Sequence, residues 1–460
     1  MNQPTREDPG FDPHHSALFT DLYELTMAQA YQAEGMSAAG VFELFFRKMP
    51  EGRNFVMAAG LSSVLDYLES LHFTGGDIGY LRSLGQFSDS FLEWLRTFRF
   101  TGSVWAVPEG TVVFENEPVV QVVAPIAQAQ LVETFILNQI HLQSVAATKA
   151  ARVVTAAQGR AVVDFGSRRS HGTDAALKVA RACYLAGAAG TSNVAAGRRY
   201  GIPVFGTMAH SYIQAHDREA QAFAAFVEQF PETTLLVDTF DTLAGVERVI
   251  ELARQLGSDF RVRQIRLDSG NLGELAREAR RRLDQAGLDR LRIIASSSLD
   301  EYKISQLLAD GAPIDGFGVG TRLAVSKDVP EIDFSYKLVA YDGQPKMKLS
   351  SSKLNRPGRK QVFRRLEEGQ MCGDTLACHG ETLPGQPLLE PVMAQGKITR
   401  QGRIPLEETR QRARAQLQAL PEAWRNLEPA SSGYPLAVST ELERITQELT
   451  RALEAQETAG

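Results

Sequence analysis

Cysteine is almost missing from this chain, and the three present (Cys183, Cys372 and Cys378) cannot build a disulfide framework. No Cys/His spacing reads as a zinc site either. No uncharged apolar run reaches the length of a membrane span. The opening MNQPTREDPGFDPHH is polar and acidic and lacks the apolar core of a signal peptide. A cytoplasmic protein with no membrane partner is therefore expected. Basic charge is also in deficit: the formal net charge is −6 and the isoelectric point is near 5.9. That balance carries no footprint for nucleic acid.

What is present is ordinary for a globular protein, 43% hydrophobic and 23% charged residues over 460 positions. Such a length exceeds one usual domain, so two or three are expected. Arg and Lys gather locally at Arg168/Arg169, Arg198/Arg199, Lys346/Lys348 and the run from Arg356 to Lys360. Local positive charge on an acidic protein suits a small anionic ligand better than a polyanionic polymer.

Periodicity divides the chain. Residues 1–15 read as a disordered tail, and 16–127 as an N-terminal α/β domain. In that domain LFTDLYELTMAQAYQAEG, LSSVLDYLESL and DSFLEWLRTF have helical spacing and VFELFFRKMP alternates like a strand. Thr20 is a plausible cap for the first helix. A long helix, apolar all round, is predicted from about Ala127 to Thr155. From 128 to 350 the chain alternates continuous apolar strands with amphipathic helices. The strands end in AVVDFG, IPVFGT, TLLVDT, QIRLDSG, RIIASSS and FGVGT, a pattern of parallel strands and right-handed crossovers. With KLVAYDG and PKMKLSS following, these units approach a closed α/β barrel. Residues 351–460 read as a C-terminal segment of strands returning to the N-terminal domain, followed by helices.

The chemistry-bearing residues fall at the C-terminal tips of these strands, where barrels of this kind keep their active sites. Within residues 161–211, AVVDF runs into GSRRSHG and IPVF into GTMAHS. Small residues let backbone N–H groups approach phosphate oxygens, and arginines supply forked donors. His210, flanked by Thr207 and Ser211, could act as an acid/base or accept a phosphoryl group; packing or capping is the bland alternative. Arg266, inside an apolar strand, must reach a partner. That partner is either Asp268 or Asp238, or a planar carboxylate on a ligand. Gly318, Gly320 and Thr321 in GFGVGT resemble a phosphate cradle, although the glycines could simply allow close packing. Ser296 and Ser297 could serve phosphate, and Ser298 could instead cap the next helix. Arg168 and Arg169 suit a polyphosphate or are solvated. Lys149 either snorkels to the surface or points into the site with Arg152. Tyr23 reads most simply as a core aromatic.

Taken in order, TDLYELTM, FELFFRKMP, FGSRR, GTSNV, GTMAHS, RLDSG, GVGT and the YKLV/KMKLS pair resemble the nicotinate phosphoribosyltransferase family from about Thr20 to Arg364. The resemblance implies a type II phosphoribosyltransferase fold, an N-terminal α/β domain on an irregular α/β barrel with a helical C-terminal tail. It implies transfer of phosphoribosyl from phosphoribosyl pyrophosphate to nicotinate, coupled to ATP hydrolysis, with Mg²⁺ as a further cofactor. In this family the histidine matching His210 is phosphorylated. Nicotinate contacts map onto Tyr23, Thr207 and Arg266, and a phosphoribosyl pyrophosphate contact onto Thr321. A homodimer with shared active sites is implied, so Tyr23 would serve the neighbouring site. Asp238 and Asp268 are weaker candidates for the ribose diol or the metal's water shell. Alternatives are a nicotinamide or quinolinate enzyme on the same fold, a phosphate-binding barrel lyase or aldolase with Lys149 as its amine, and a nucleotide sensor without turnover.

Overall fold

The computed structural model describes residues 16–349 and 355–459. The expected tail at 1–15, and the serines ending KMKLSS, lie outside those residues. The chain forms two compact units. One comprises the described parts of Met1–Ser144 and Glu331–Gly460, and the other is Val145–Pro330.

The first unit is built on a seven-stranded sheet. Within it Ala39–Phe46 pairs antiparallel with both Phe334–Tyr341 and the central strand Val120–Pro125. Its aromatic residues fill the interior: Phe42 stacks on Tyr336 with ring centroids 5.0 Å apart, and Phe46 is fully buried. A four-stranded sheet in the same unit joins Lys360–Glu367 to Gln370–Cys378. The two predicted helical runs of the tail form Leu406–Ala419 and Thr440–Ala459.

KLVAYDG and the described part of PKMKLSS, residues 345–349, do not extend the barrel, contrary to expectation. KLVAY belongs to the antiparallel strand Phe334–Tyr341. Asp342 and Gly343 then take φ of 50° and 72° and turn the chain back, so that Tyr341 pairs with Gln344. An Asp-Gly pair at positive φ is the turn whose twist fits a two-residue hairpin, and a hairpin makes antiparallel neighbours. The boundaries move accordingly, to 144/145 and 330/331 rather than 127/128 and 350/351. The predicted long helix is two helices, Ile126–Leu131 and Glu133–Ala156, and the first boundary falls inside the second. Phe135 near its start stacks on Tyr67 within the first unit, whereas Lys149 and Arg152 pair with Glu301 within the second.

The second unit carries a six-stranded parallel sheet. In spatial order its strands are Gly190–Thr191, Ala161–Asp164, Gly316–Val319, Arg292–Ala295, Gln264–Leu267 and Thr234–Leu236. IPVF, predicted to be a strand, contributes only a single bridge from Val204 to Thr191. Among the described residues nothing pairs Val204 with Thr234–Leu236, so the sheet curls into a half barrel and stops short of closure. Four polar tips hand the chain to a helix through an Asx cap: Asn193, Asp241, Asn271 and Asp300 each accept from a backbone N–H three residues on. The cap before Glu301–Ala309 is therefore Asp300, not Ser298. These caps end each tip at a defined residue and hold the rim facing the carboxyl ends of the strands.

Candidate active site

At that rim lies a cavity of about 540 Å³, within the range of small-molecule sites. Its wall is made by successive strand tips, each supported from behind.

Past Ala161–Asp164, Phe165, Ser167, Arg168 and Arg169 reach the cavity. Asp164 is buried beneath them and accepts from the Gly166 N–H at 2.7 Å and from Thr191 Oγ1 at 2.8 Å. Burial pushes its pKa up, and those two donors oppose the shift. Both arginines are exposed, so their charge is available to a ligand.

Three groups converge opposite. Arg266 is held in Gln264–Leu267 with its side chain only 14% exposed. Its Nη1 donates to Thr207 Oγ1 at 2.6 Å, its Nη2 lies 3.5 Å from Asp268 Oδ2, and its Nε has no partner. His210 opens the helix His210–Gln214; its Nδ1 is 3.1 Å from Thr239 Oγ1 and its Nε2 is 3.6 Å from Asp268 Oδ2. Asp268 thus stands between imidazole and guanidinium, and Ser296 Oγ donates to its other oxygen. The ion pair weighed for Arg266 exists with Asp268, yet it is long and leaves donor capacity over.

The remaining wall comes from adjacent tips. Ser296, Ser297 and Ser298 line it, Ser297 at φ 92° and Ser298 at φ 49°. Non-glycine residues in this region cost on the order of 1–3 kcal/mol each and persist where the surroundings over-determine them. Gly318, Gly320 and Thr321 complete the rim. A Cβ on Gly318 would lie 2.4 Å from the Phe165 ring, so this glycine is also used for close packing.

Other predicted residues lie elsewhere. Lys149 does not line the cavity. It is buried and salt-bridged to Glu301 at 2.5 Å and Asp328 at 2.6 Å, because a buried ammonium needs such partners. Asp238 sits behind the wall, where it accepts from the Asp268 N–H at 2.9 Å and from Ser269 Oγ at 2.5 Å. Its bearing on a ligand is through Asp268. Tyr23 belongs to the first unit and is 46% exposed, which overturns its reading as a core aromatic. Partial burial and the carboxylates of Glu133 and Glu24 push its phenol pKa up. Thr239 was missed by sequence reasoning, although the VDTFDT tip places a hydroxyl just past an apolar strand.

Among the described residues no group of three or more His, Cys, Asp or Glu side chains could hold a metal ion. Asp268 is the one carboxylate among the lining residues. That donor set fits Mg²⁺ carried mainly by ligand phosphates, with one protein carboxylate and water completing the shell.

Residues 18–141 match the model of the nicotinate phosphoribosyltransferase N-terminal domain, and residues 160–366 match that of the nicotinate phosphoribosyltransferase family. A nicotinate phosphoribosyltransferase of Mycobacterium tuberculosis (pncB2) is 62% identical over 438 residues, covering 95% of this chain and 94% of that protein. The chain belongs to the nicotinate phosphoribosyltransferase family. A nicotinate phosphoribosyltransferase of Bacillus subtilis is 42% identical over 390 residues, covering 83% of this chain and 80% of its own. Among solved structures, human nicotinic acid phosphoribosyltransferase superposes with a TM-score of 0.83 at 28% identity, covering 94% of this chain and 99% of that one. Among the described residues no helix of this family member is long and apolar enough to cross a membrane.

Proposed function

We propose that the protein transfers a phosphoribosyl group from phosphoribosyl pyrophosphate to nicotinate in NAD biosynthesis, giving nicotinate mononucleotide and pyrophosphate, and that it couples this to ATP hydrolysis through a phosphohistidine. The reading rests above all on one observation. His210 and Arg266, on different tips, both face Asp268 Oδ2 on one cavity wall, at 3.6 and 3.5 Å.

The unused donor capacity of Arg266 would take the pyridine carboxylate, with Thr207 fixing the guanidinium plane. That contact aims the ring nitrogen at the anomeric carbon, an orientation worth several kcal/mol of barrier. As pyrophosphate leaves, the sugar gains oxocarbenium character. Arg168 and Arg169 would take the leaving group's charge, and Asp268 would steady the cationic sugar or its diol. Ser296, Ser297, Gly318, Gly320 and Thr321 would cradle the phosphate end. Mg²⁺, when bound with the pyrophosphate, would supply neutralising charge, and Asp268 would ligate it.

In the coupling step, the γ-phosphoryl bond to ADP breaks as a bond forms to His210. Thr239 engages Nδ1, which leaves Nε2 facing the cavity as the nucleophile. Water later cleaves the phosphoimidazole, releasing phosphate. The added charge of roughly two units changes the affinity for anionic substrates at this wall. The exposed ring of Tyr23 suits a homodimer in which it packs on the nicotinate bound to the neighbouring subunit. The compartment proposed is the cytoplasm.

The test is to incubate the pure protein with nicotinate, phosphoribosyl pyrophosphate, Mg²⁺ and ATP and to assay mononucleotide and ADP. Nicotinamide and quinolinate run in parallel decide the base. The His210→Ala variant should lose ATP stimulation and acid-labile phosphorylation while retaining slow transfer; unchanged coupling would reject the phosphohistidine.

A further inference from the structure

We infer that the ion pair between Asp300 and Arg322 is a positioning device for the phosphate side of the cavity. The inference rests on the reading that this cavity takes phosphoribosyl pyrophosphate.

The strands Arg292–Ala295 and Gly316–Val319 are parallel neighbours, with Ile294 opposite Gly316 and Ala295 opposite Phe317. Their tips therefore emerge side by side. One presents Ser297 and Ser298, the other Gly320 and Thr321. Just past each tip stands one member of the pair, and Arg322 Nη1 donates to Asp300 Oδ2. Neither residue lines the cavity, so each acts through the residues before it.

The carboxylate at 300 is itself tightly held. Its side chain is only 7% exposed, and Oδ1 accepts the Lys303 N–H at 2.9 Å as the cap of Glu301–Ala309. The next residue, Glu301, is fully buried and takes Lys149 at 2.5 Å and Arg152 at 3.0 Å. Two successive acids thus anchor the far end of the serine turn, one to the neighbouring tip and one to the helix Glu133–Ala156. Ser297 and Ser298 sit at positive φ immediately before this anchorage. A left-handed serine turn relaxes when its flank is freed, and the relaxation moves the N–H and hydroxyl groups presented to a phosphate. The base end of the cavity is built on Arg266 and Thr207, whose mutual hydrogen bond does not include this pair, and it meets the serine tip through Ser296 and Asp268. Lys149 and Arg152 thereby acquire a supporting part as well.

The experiment compares steady-state kinetics of the wild type, Arg322→Ala, Arg322→Lys, Asp300→Asn and the Ala/Asn double variant, each first checked by thermal melting. Asp300→Asn keeps the capping oxygen and removes the charge. Arg322→Ala and Asp300→Asn should each raise KM for phosphoribosyl pyrophosphate about tenfold, with kcat and the KM for nicotinate within about twofold of wild type. Arg322→Lys should recover most of the loss, and the double variant should be no worse than either single one. Folded single variants with unchanged KM for phosphoribosyl pyrophosphate would overturn the inference, as would single effects that add in the double. A wild type that turns over no phosphoribosyl pyrophosphate in the same assay would instead overturn the functional reading beneath it.

Discussion

Two arginines in two strands, Arg364 and Arg266, show how one residue type is satisfied inside the fold of one unit and left with spare donors beside a cavity in the other. Arg364 is only 1% exposed and saturated. Its Nε and Nη2 engage Asp374, at 2.6 Å for Nη2, and its Nη1 donates to the Val112 carbonyl at 2.7 Å. The Phe114 ring lies 5.5 Å from its guanidinium carbon. Around it Glu117 is held well above the usual carboxylate range, first by burial and then by the nearby charge of Asp374. Arg266 has one short hydrogen bond, one long ion pair and an idle Nε, at the edge of a cavity. An arginine whose partners all lie within the protein binds nothing else. One left partly unsatisfied at a cavity wall keeps donor capacity that a ligand could use.

This contrast is sharpest in substitutions. Arg364→Ala strands the buried Asp374 carboxylate and should cost about 3–5 kcal/mol, a fall in melting temperature on the order of 10 °C by calorimetry. Arg266→Ala should leave melting nearly unchanged and raise KM for nicotinate about 100-fold, as expected when a charged hydrogen-bonding pair is lost. A large loss of stability with an unchanged KM would put Arg266 in the same class as Arg364.

A pH effect sharpens the comparison within the first unit. Glu24 is fully buried, and burial raises its pKa to about 7, against the hydrogen bonds from Thr20 and Thr134 that lower it. The protonated form is the one the fold favours. Its contribution is therefore complete below the unfolded value near 4.5 and is lost as pH rises through 7. Glu24→Gln should stabilise the protein by about 2 kcal/mol at pH 8 and by little at pH 5, measured as melting temperature at both. The smallest effect expected is that of Thr207→Val. It removes the acceptor of Arg266 Nη1 and should raise KM for nicotinate about fivefold, close to 1 kcal/mol.

Much of the second unit was legible because its signals are local. Short, mainly apolar runs such as AVVD and RIIA became parallel strands, and polar tips followed them. His210, Thr207, Arg266, Arg168, Arg169 and Thr321 all reached one cavity. What failed depends on partners distant in sequence. The surroundings of Lys149 are set by Glu301 and Asp328, which periodicity does not connect to it. IPVF carries a strand's composition but finds a neighbour on one side only, so it keeps a single bridge. KLVAYDG held a local clue that was passed over, since its Asp-Gly turn already indicated a hairpin. Asp238 has the residue type of a ligand contact, yet its hydrogen bonds to the Asp268 N–H and Ser269 place it one layer back.

The central claim is that one partly satisfied guanidinium on the rim of the half barrel, that of Arg266, selects the substrate's carboxylate. It is tested most directly by the ratio of kcat/KM for nicotinate to that for nicotinamide, measured in the wild type and in Arg266→Ala. The account predicts strong preference for nicotinate in the wild type and a collapse of that ratio by about 100-fold in the variant. A ratio that survives the substitution, with both bases slowed equally, would contradict it.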